Sequence, residues 1–315
     1  MRAARFHGWG TAPVVDEVPE PARADGEVLV QVRAAAVAHL DATIAGGTFG
    51  LKPPLPYVGG VEGAGVVLEA GDLAPGTQVM LRGGGLGVKR DGTWTERVRV
   101  PRKAVLPLDP ELPAEVAATF FVPATTGYVA VHDVGRVEPG DHVIVTGAAG
   151  AVGAMAAQQA LAAGARVLGA VSREDGLSRI PAGVEGFALS DTARLAELAK
   201  QRPAAVLIDT VGGRDLAARA KWVRPGGRAV LIGYAHGPAV EIDLSSWLLD
   251  DVAFLPVNMI RQERRARAVA GGLLRQLAAG ELRVETQTFE LDGIADALAA
   301  LRAGRVRGRA VVTPR

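Results

Sequence analysis

Residues 140–172 read GDHVIVTGAAGAVGAMAAQQALAAGARVLGAVS, and this stretch decides the fold. His142 to Thr146 is a short apolar run between turn signals, the pattern of a buried strand. Seven small residues follow, Gly147-Ala148-Ala149-Gly150-Ala151-Val152-Gly153, with three glycines among them. An Ala-rich run then predicts a helix over 151–163, because alanine is the best intrinsic helix former. Gly164 ends it, and Arg166 to Val171 reads as a second strand. Two apolar strands joined through a helix imply a parallel sheet covered on both faces. A glycine turn that opens a helix suits a phosphate: free backbone N–H groups and the positive helix end face the anion. Glycines also let a pyrophosphate and the strand approach closely. Ala149 stands where the fingerprint G-x-G-x-x-G carries its middle glycine. The candidate cofactor contacts at this turn are Ala149, Gly150, Ala151, Val152 and Gly153.

The same units continue toward the C-terminus. AAVLIDT (204–210) predicts a strand, LAARAKWV (216–223) a helix, Pro225-Gly226-Gly227 a turn and RAVLIG (228–233) a strand. LLDDVAFLPVN (248–258) predicts one more strand. Toward the N-terminus the text changes to short strands, VLVQVRAAAV (28–37), GAGVVLEAG (63–71) and WTERVRV (94–100), punctuated by Gly and Pro. Beyond Asn258 a charged helix over 262–279 precedes VETQTFEL, a short helix DGIADALAAL and a last strand GRAVVTP. In the charged helix, Glu263 is spaced to pair with Arg267 at i,i+4, so its arginines read as a solvated face. The expected organisation is α/β: a Rossmann doubly wound parallel-sheet domain (119–259) inserted into a β-rich domain made of 1–118 and 260–315.

Composition narrows the function classes. The chain has 315 residues, enough for two domains, with 35 Lys+Arg against 34 Asp+Glu and a pI near 8.1. This balance gives no electrostatic reason to expect a nucleic acid or a membrane as partner. The uncharged stretch 142–165 is interrupted by glycines and by Gln158-Gln159, which favours strand plus helix over a membrane span. No apolar leader stands at the N-terminus, so a cytoplasmic location is expected. The absence of cysteine excludes thiolate metal sites and a cysteine nucleophile. The five histidines, His7, His39, His132, His142 and His236, show no paired ligand spacing, so no metal is expected.

Cofactor choice turns on the end of the second strand. An acid there would hold a ribose 2′-hydroxyl, whereas this chain carries Ser172-Arg173. A hydroxyl and a guanidinium suit a 2′-phosphate, so NADP(H) is expected over NAD(H).

Together with PYVGGVEGAGVV (56–67), AATFFVPATTGYVAV (117–131), VLIDTVGG (206–213) and GRVRGRAVV (304–312), these motifs resemble the medium-chain dehydrogenase/reductase superfamily. The resemblance is to its zinc-independent quinone oxidoreductase, or zeta-crystallin-like, branch, and covers essentially the whole chain. It implies a GroES-like domain built from both chain ends around the Rossmann domain. The positions of the catalytic zinc ligands in metal-dependent relatives read Ala38 and Val61, and the structural zinc lobe is replaced by LRGGGLGVKRDG. The relatives' motif Asn-Pro-x-Asp-x-Tyr keeps only Asp41, with Ala38 for Asn and Thr43 for Tyr. The resemblance further implies that Thr126, Gly233, Tyr234 and Asn258 lie at the nicotinamide.

The function these readings imply is hydride transfer from NADPH to a quinone or an α,β-unsaturated carbonyl. A quinone takes the hydride as a hydroquinone anion that water protonates, so no dedicated acid is required. No catalytic residue is assigned; Asp41, Thr43 and Tyr57 are pocket candidates. Tyr57 is either a proton donor or packing, and Asp41 either acts on substrate or orders its loop. Two alternatives are a biosynthetic enoyl reductase and a non-catalytic, crystallin-like NADPH-binding protein. The strand over 252–257 can pair edge to edge, so a homodimer is expected.

Overall fold

The computed structural model describes residues 1–108 and 112–314. The chain divides into two compact units, Met1–Phe121 with Val284–Arg315, and Val122–Arg283.

The first unit begins with β1 (Arg2–Phe6), β2 (Val14–Glu17), β3 (Glu27–Val37), helix α1 (His39–Ala45), β4 (Tyr57–Val58), β5 (Glu62–Glu69), β6 (Gln78–Arg82), β7 (Arg97–Pro101) and β8 (Val105–Pro107). Short helices α2 (Ala114–Ala117) and α3 (Phe121–Tyr128) lead out of it, α3 continuing as a π-helical turn over Val129–Val134. The second unit holds β9 (His142–Thr146), α4 (Ala151–Ala162), β10 (Arg166–Val171), β11 (Glu185–Ala188), α5 (Thr192–Gln201), β12 (Ala204–Asp209), α6 (Leu216–Ala220), β13 (Val223–Leu231), α7 (Leu244–Asp250), β14 (Ala253–Pro256) and α8 (Glu263–Ala278). β15 (Thr286–Glu290), α9 (Ile294–Arg302) and β16 (Arg309–Thr313) return to the first.

In the first unit, a seven-stranded sheet runs β15-β16-β3-β5-β6-β8, with β7 also paired to β3, beside a three-stranded sheet β2-β1-β4. Both chain ends therefore meet in one sheet, where β16 lies antiparallel to β3. Fully buried Trp94 anchors the core, donating from its indole N–H to the Ala36 carbonyl at 2.9 Å. Gly59 makes room for it, since a Cβ there would sit 2.3 Å from the Trp94 ring.

The second unit is a six-stranded parallel sheet in the order β11-β10-β9-β12-β13-β14. The doubly wound dinucleotide-binding fold has this order, reversing beside its first strand, here β9. β12 is buried along its whole length and packs with β9, as its continuous apolar text requires.

Several local expectations change. Pro225-Gly226-Gly227 does not end a segment; it lies inside β13, where the pairing with β12 shifts register and Gly226 takes φ +75°. The start of LLDDVAFLPVN is the end of α7, stopped by Asp251 at φ +50°, and only Ala253–Pro256 is strand. The units meet in sequence at 121/122 and 283/284, against the expected 118/119 and 259/260. α8 belongs with the second unit: Arg265 donates to Asp133 at 2.8 and 2.9 Å and stacks over Tyr128.

Candidate functional site

Strand β9 hands the chain to α4 through the glycine turn, and the turn is made almost wholly of backbone. Gly147 takes φ +64°, the Gly150 N–H donates to the Gly147 carbonyl at 2.8 Å, and Ala148 N–H donates to Ala170 at the end of β10. Gly153 packs directly on the turn, for a Cβ there would meet the Gly147 oxygen at 2.1 Å. Gly150 caps α4 and no side chain caps the helix, so the N–H groups of Ala151, Val152 and Gly153 open the first turn. Ala149 is half-buried and Gly150 exposed. These groups form a cradle that a larger residue would fill and that offers donors to a phosphate.

At the end of β10, Ser172 and Arg173 are exposed, and the Arg173 guanidinium pairs with Asp175 at 3.4 Å. Beyond β13, the loop of Gly233 and Tyr234 lies against the loop after β12: a Cβ on Gly233 would sit 2.2 Å from the Thr210 carbonyl. Tyr234 is 70% exposed. Thr126 is buried in α3. The Asn258 carboxamide oxygen accepts from the Ile260 and Arg261 N–H groups, so its side chain shapes its own turn. The turn after β9, the Ser172-Arg173 step and the Gly233 loop all lie at the carboxyl ends of parallel strands, where doubly wound sheets bind ligands.

The first-unit candidates behave differently. Asp41 is buried in α1; its two oxygens accept from Ala38 N–H (2.8 Å) and Val61 N–H (3.0 Å). Burial pushes its carboxyl up to about 7, Glu62 adds to this, and the two backbone donors and Arg309 oppose it. Glu62 faces Arg82 at 3.4 Å and Arg309 at 3.6 Å. Tyr57 is buried, stacked on Phe6 at 5.2 Å and beside Trp9 at 5.7 Å, and burial raises its phenol. Thr43 is exposed and its hydroxyl donates back to the His39 carbonyl at 2.9 Å. Among the described residues, no three His, Cys, Asp or Glu side chains are grouped closely enough to hold a metal ion. No helix among them is long and apolar enough to cross a membrane.

Comparison with known proteins decides the kinship. Residues 24–110 match the alcohol dehydrogenase GroES-like domain, and residues 151–271 the family described as zinc-binding dehydrogenase. The solved quinone oxidoreductase of Thermus thermophilus, described with its NADPH complex, aligns over 100% of both chains with 30% identity and a TM-score of 0.83. The chain belongs to the medium-chain dehydrogenase/reductase superfamily, on its quinone oxidoreductase branch. An acryloyl-coenzyme A reductase of Metallosphaera sedula is 29% identical over 99% of this chain and 100% of its own. The human synaptic vesicle membrane protein VAT-1 homolog is 31% identical over 69% of this chain, which spans 56% of that relative's length.

The two amides that Asp41 holds are those of Ala38 and Val61, the residues standing at the zinc-ligand positions that the sequence resemblance identified. The sequence reading missed one buried ion pair of the second unit, Asp209–Arg219 (2.7 Å), below the loop after β12. Asp209 is visible in VLIDTVGG, but its partner lies ten residues on, in a helix whose signal is its alanines.

Proposed function

We propose that the protein is a metal-independent reductase that passes a hydride from NADPH to a quinone or an α,β-unsaturated carbonyl. The observation that carries this reading is the uncapped start of α4 behind the Gly147–Gly153 contact, on a sheet with dinucleotide-binding strand order. Ala149, Gly150, Ala151, Val152 and Gly153 would hold the pyrophosphate by their backbone. Ser172 and Arg173 would meet the 2′-phosphate, Arg173 exchanging Asp175 for it. Gly233, Tyr234, Thr126 and Asn258 would line the nicotinamide end. The bound nicotinamide supplies the hydride. The chain's own residues would orient it, since hydride transfer depends chiefly on holding donor and acceptor in position. Asp41, Thr43 and Tyr57 are assigned to shaping the first unit rather than to proton transfer.

A second acceptor class is favoured by one finding, the full-length similarity to an acryloyl-coenzyme A reductase. An α,β-unsaturated thioester, like an enone, accepts hydride at its β-carbon, and water protonates the resulting enolate at the α-carbon. A homodimer is also proposed. β14 is an edge strand, and Leu244, Leu248, Leu249 and Ile260, within and near the segments around it, are 60–89% exposed. Apolar exposure beside an unpaired edge suits a second copy.

Turnover tests the proposal. NADPH absorbance is followed with 1,4-benzoquinone, then with a small enone and an unsaturated acyl thioester, all in chelator. Oxidation that survives chelation is expected with at least one acceptor. Saturable NADPH binding with no oxidation of any of the three would leave only the binding-protein alternative.

A further inference from the structure

Strand β12 ends at Asp209, and the chain must turn at once, with Gly212 at φ +63° and Gly213 at φ +81°. Both sides of one residue in this turn are gripped by buried charges. Asp209 Oδ1 accepts from the Val211 N–H at 3.1 Å and from the Gly212 N–H at 2.6 Å. Asp209 Oδ2 accepts from Arg219 Nε at 2.7 Å, and Arg219 Nη2 donates to the Gly212 carbonyl at 2.6 Å. The two side chains are 1% and 4% exposed. Gly212 is thus held by its N–H from Asp209 and by its C=O from Arg219.

What leans on that glycine is the exit of β13. A Cβ on Gly212 would lie 2.5 Å from the Gly233 oxygen and 2.8 Å from Tyr234 Cα, and one on Gly213 would lie 2.7 Å from the His236 oxygen. The His236 N–H donates to the Val211 carbonyl at 2.9 Å. On the other side, the Thr210 N–H donates to Thr146 Oγ1 (3.0 Å) and its hydroxyl to the Thr146 carbonyl (2.7 Å), one residue before Gly147. The loop after β12 therefore stands wedged between the phosphate turn and the Gly233 loop.

We propose that Asp209 and Arg219 are positioning residues for the dinucleotide: by fixing the Gly212 backbone they set the spacing between the phosphate turn and the Gly233–Tyr234 backbone. This rests on the reading that a dinucleotide lies along this edge. A buried ion pair is weak evidence of a stability role, because a well-packed apolar pair of similar volume often does as well or better. What an apolar pair cannot do is hold one residue's backbone by both of its polar groups.

The test compares two variants that leave no unpaired buried carboxylate. Arg219→Lys keeps a cation with donors for both Asp209 and the Gly212 carbonyl. The Asp209→Asn/Arg219→Met double variant keeps an acceptor for the Val211 and Gly212 N–H groups but loses the grip on the carbonyl. NADPH affinity is measured below each melting temperature, with amide hydrogen exchange at residues 211–212 and 233–236. Arg219→Lys is expected to bind within about threefold of wild type. The double variant is expected to bind at least tenfold more weakly, with faster exchange at both loops and unchanged exchange in β9. Equal affinity in wild type and the folded double variant overturns the proposal and leaves the pair a purely structural role. In wild type itself, the Val211 and Gly212 amides should exchange as slowly as those of β12; fast exchange there overturns the grip without any variant. If wild type binds no nicotinamide dinucleotide, the functional reading fails, while the exchange data still judge the grip.

Discussion

The glycine turn of the second unit and the Asp41 corner of the first are assembled from different material. At the turn, what the chain offers is backbone N–H groups, and the side chains are small enough for close packing. At the Asp41 corner a side chain does the holding, and the backbone amides of Ala38 and Val61 are what is held. A site made of backbone tolerates side-chain replacement as long as volume is respected, so Ala149 can replace a glycine with the cradle intact. A site made of ligating side chains has no such tolerance. Ala38 and Val61 carry no side-chain metal donor, and the two Asp41 oxygens accept from their amides.

This contrast can be broken most severely at Gly153. Gly153→Ala forces a Cβ to within 2.1 Å of the Gly147 oxygen, against rigid backbone. Overpacking of this kind costs about 1–3 kcal/mol or more. The expected result is loss of saturable NADPH binding together with a lower melting temperature; titration and thermal melts check both.

The Asp41 corner should respond to pH where the turn does not. The folded carboxyl titrates at about 7 against 3.8 in the unfolded chain, so between those values the folded state holds the extra proton. Stability from this group is therefore full below about pH 4 and is lost as pH rises through about 7. Asp41→Asn removes the titration and gives up one backbone hydrogen bond, at a cost of about 1–2 kcal/mol. Urea midpoints at pH 5 and pH 7.5 should fall less with pH in the variant than in wild type. An unchanged fall would mean that other groups carry the dependence.

Smaller effects sharpen the reading of the turn. Arg173→Ala should weaken NADPH several-fold and leave NADH unchanged, because Arg173 is exposed and already shares its charge with Asp175. Equal weakening of both cofactors would take the 2′-phosphate away from Arg173. Ala149→Gly should change affinity for either cofactor by less than twofold, since the contact proposed for Ala149 is through its backbone.

The dinucleotide-binding unit is largely legible in the sequence because its signals are local. His142–Thr146 and Arg166–Val171 are strands at the predicted residues, and the helix between them ends within one residue of expectation. Its β11 and α5 escape the sequence reading, because EGFA is too short to show a period and TARLAELAKQ stands beside stronger text. Pro225-Gly226-Gly227 looks like a turn because Gly226 does adopt a turn conformation; pairing on both sides of the bulge keeps it within β13. The charged contacts are hidden for another reason. Asp41 with Val61, and Glu62 with Arg309, join residues far apart in sequence, and no spacing rule foretells such pairs. Composition likewise says nothing of Arg219, whose burial depends on an acid on a neighbouring strand.

The most direct test of the account is the affinity of wild-type protein for NADPH and NADH, measured by calorimetric titration in the same chelating buffer. The account predicts one saturable site per chain, with NADPH bound at least tenfold more tightly than NADH. Tighter binding of NADH, or no binding of either, would contradict it.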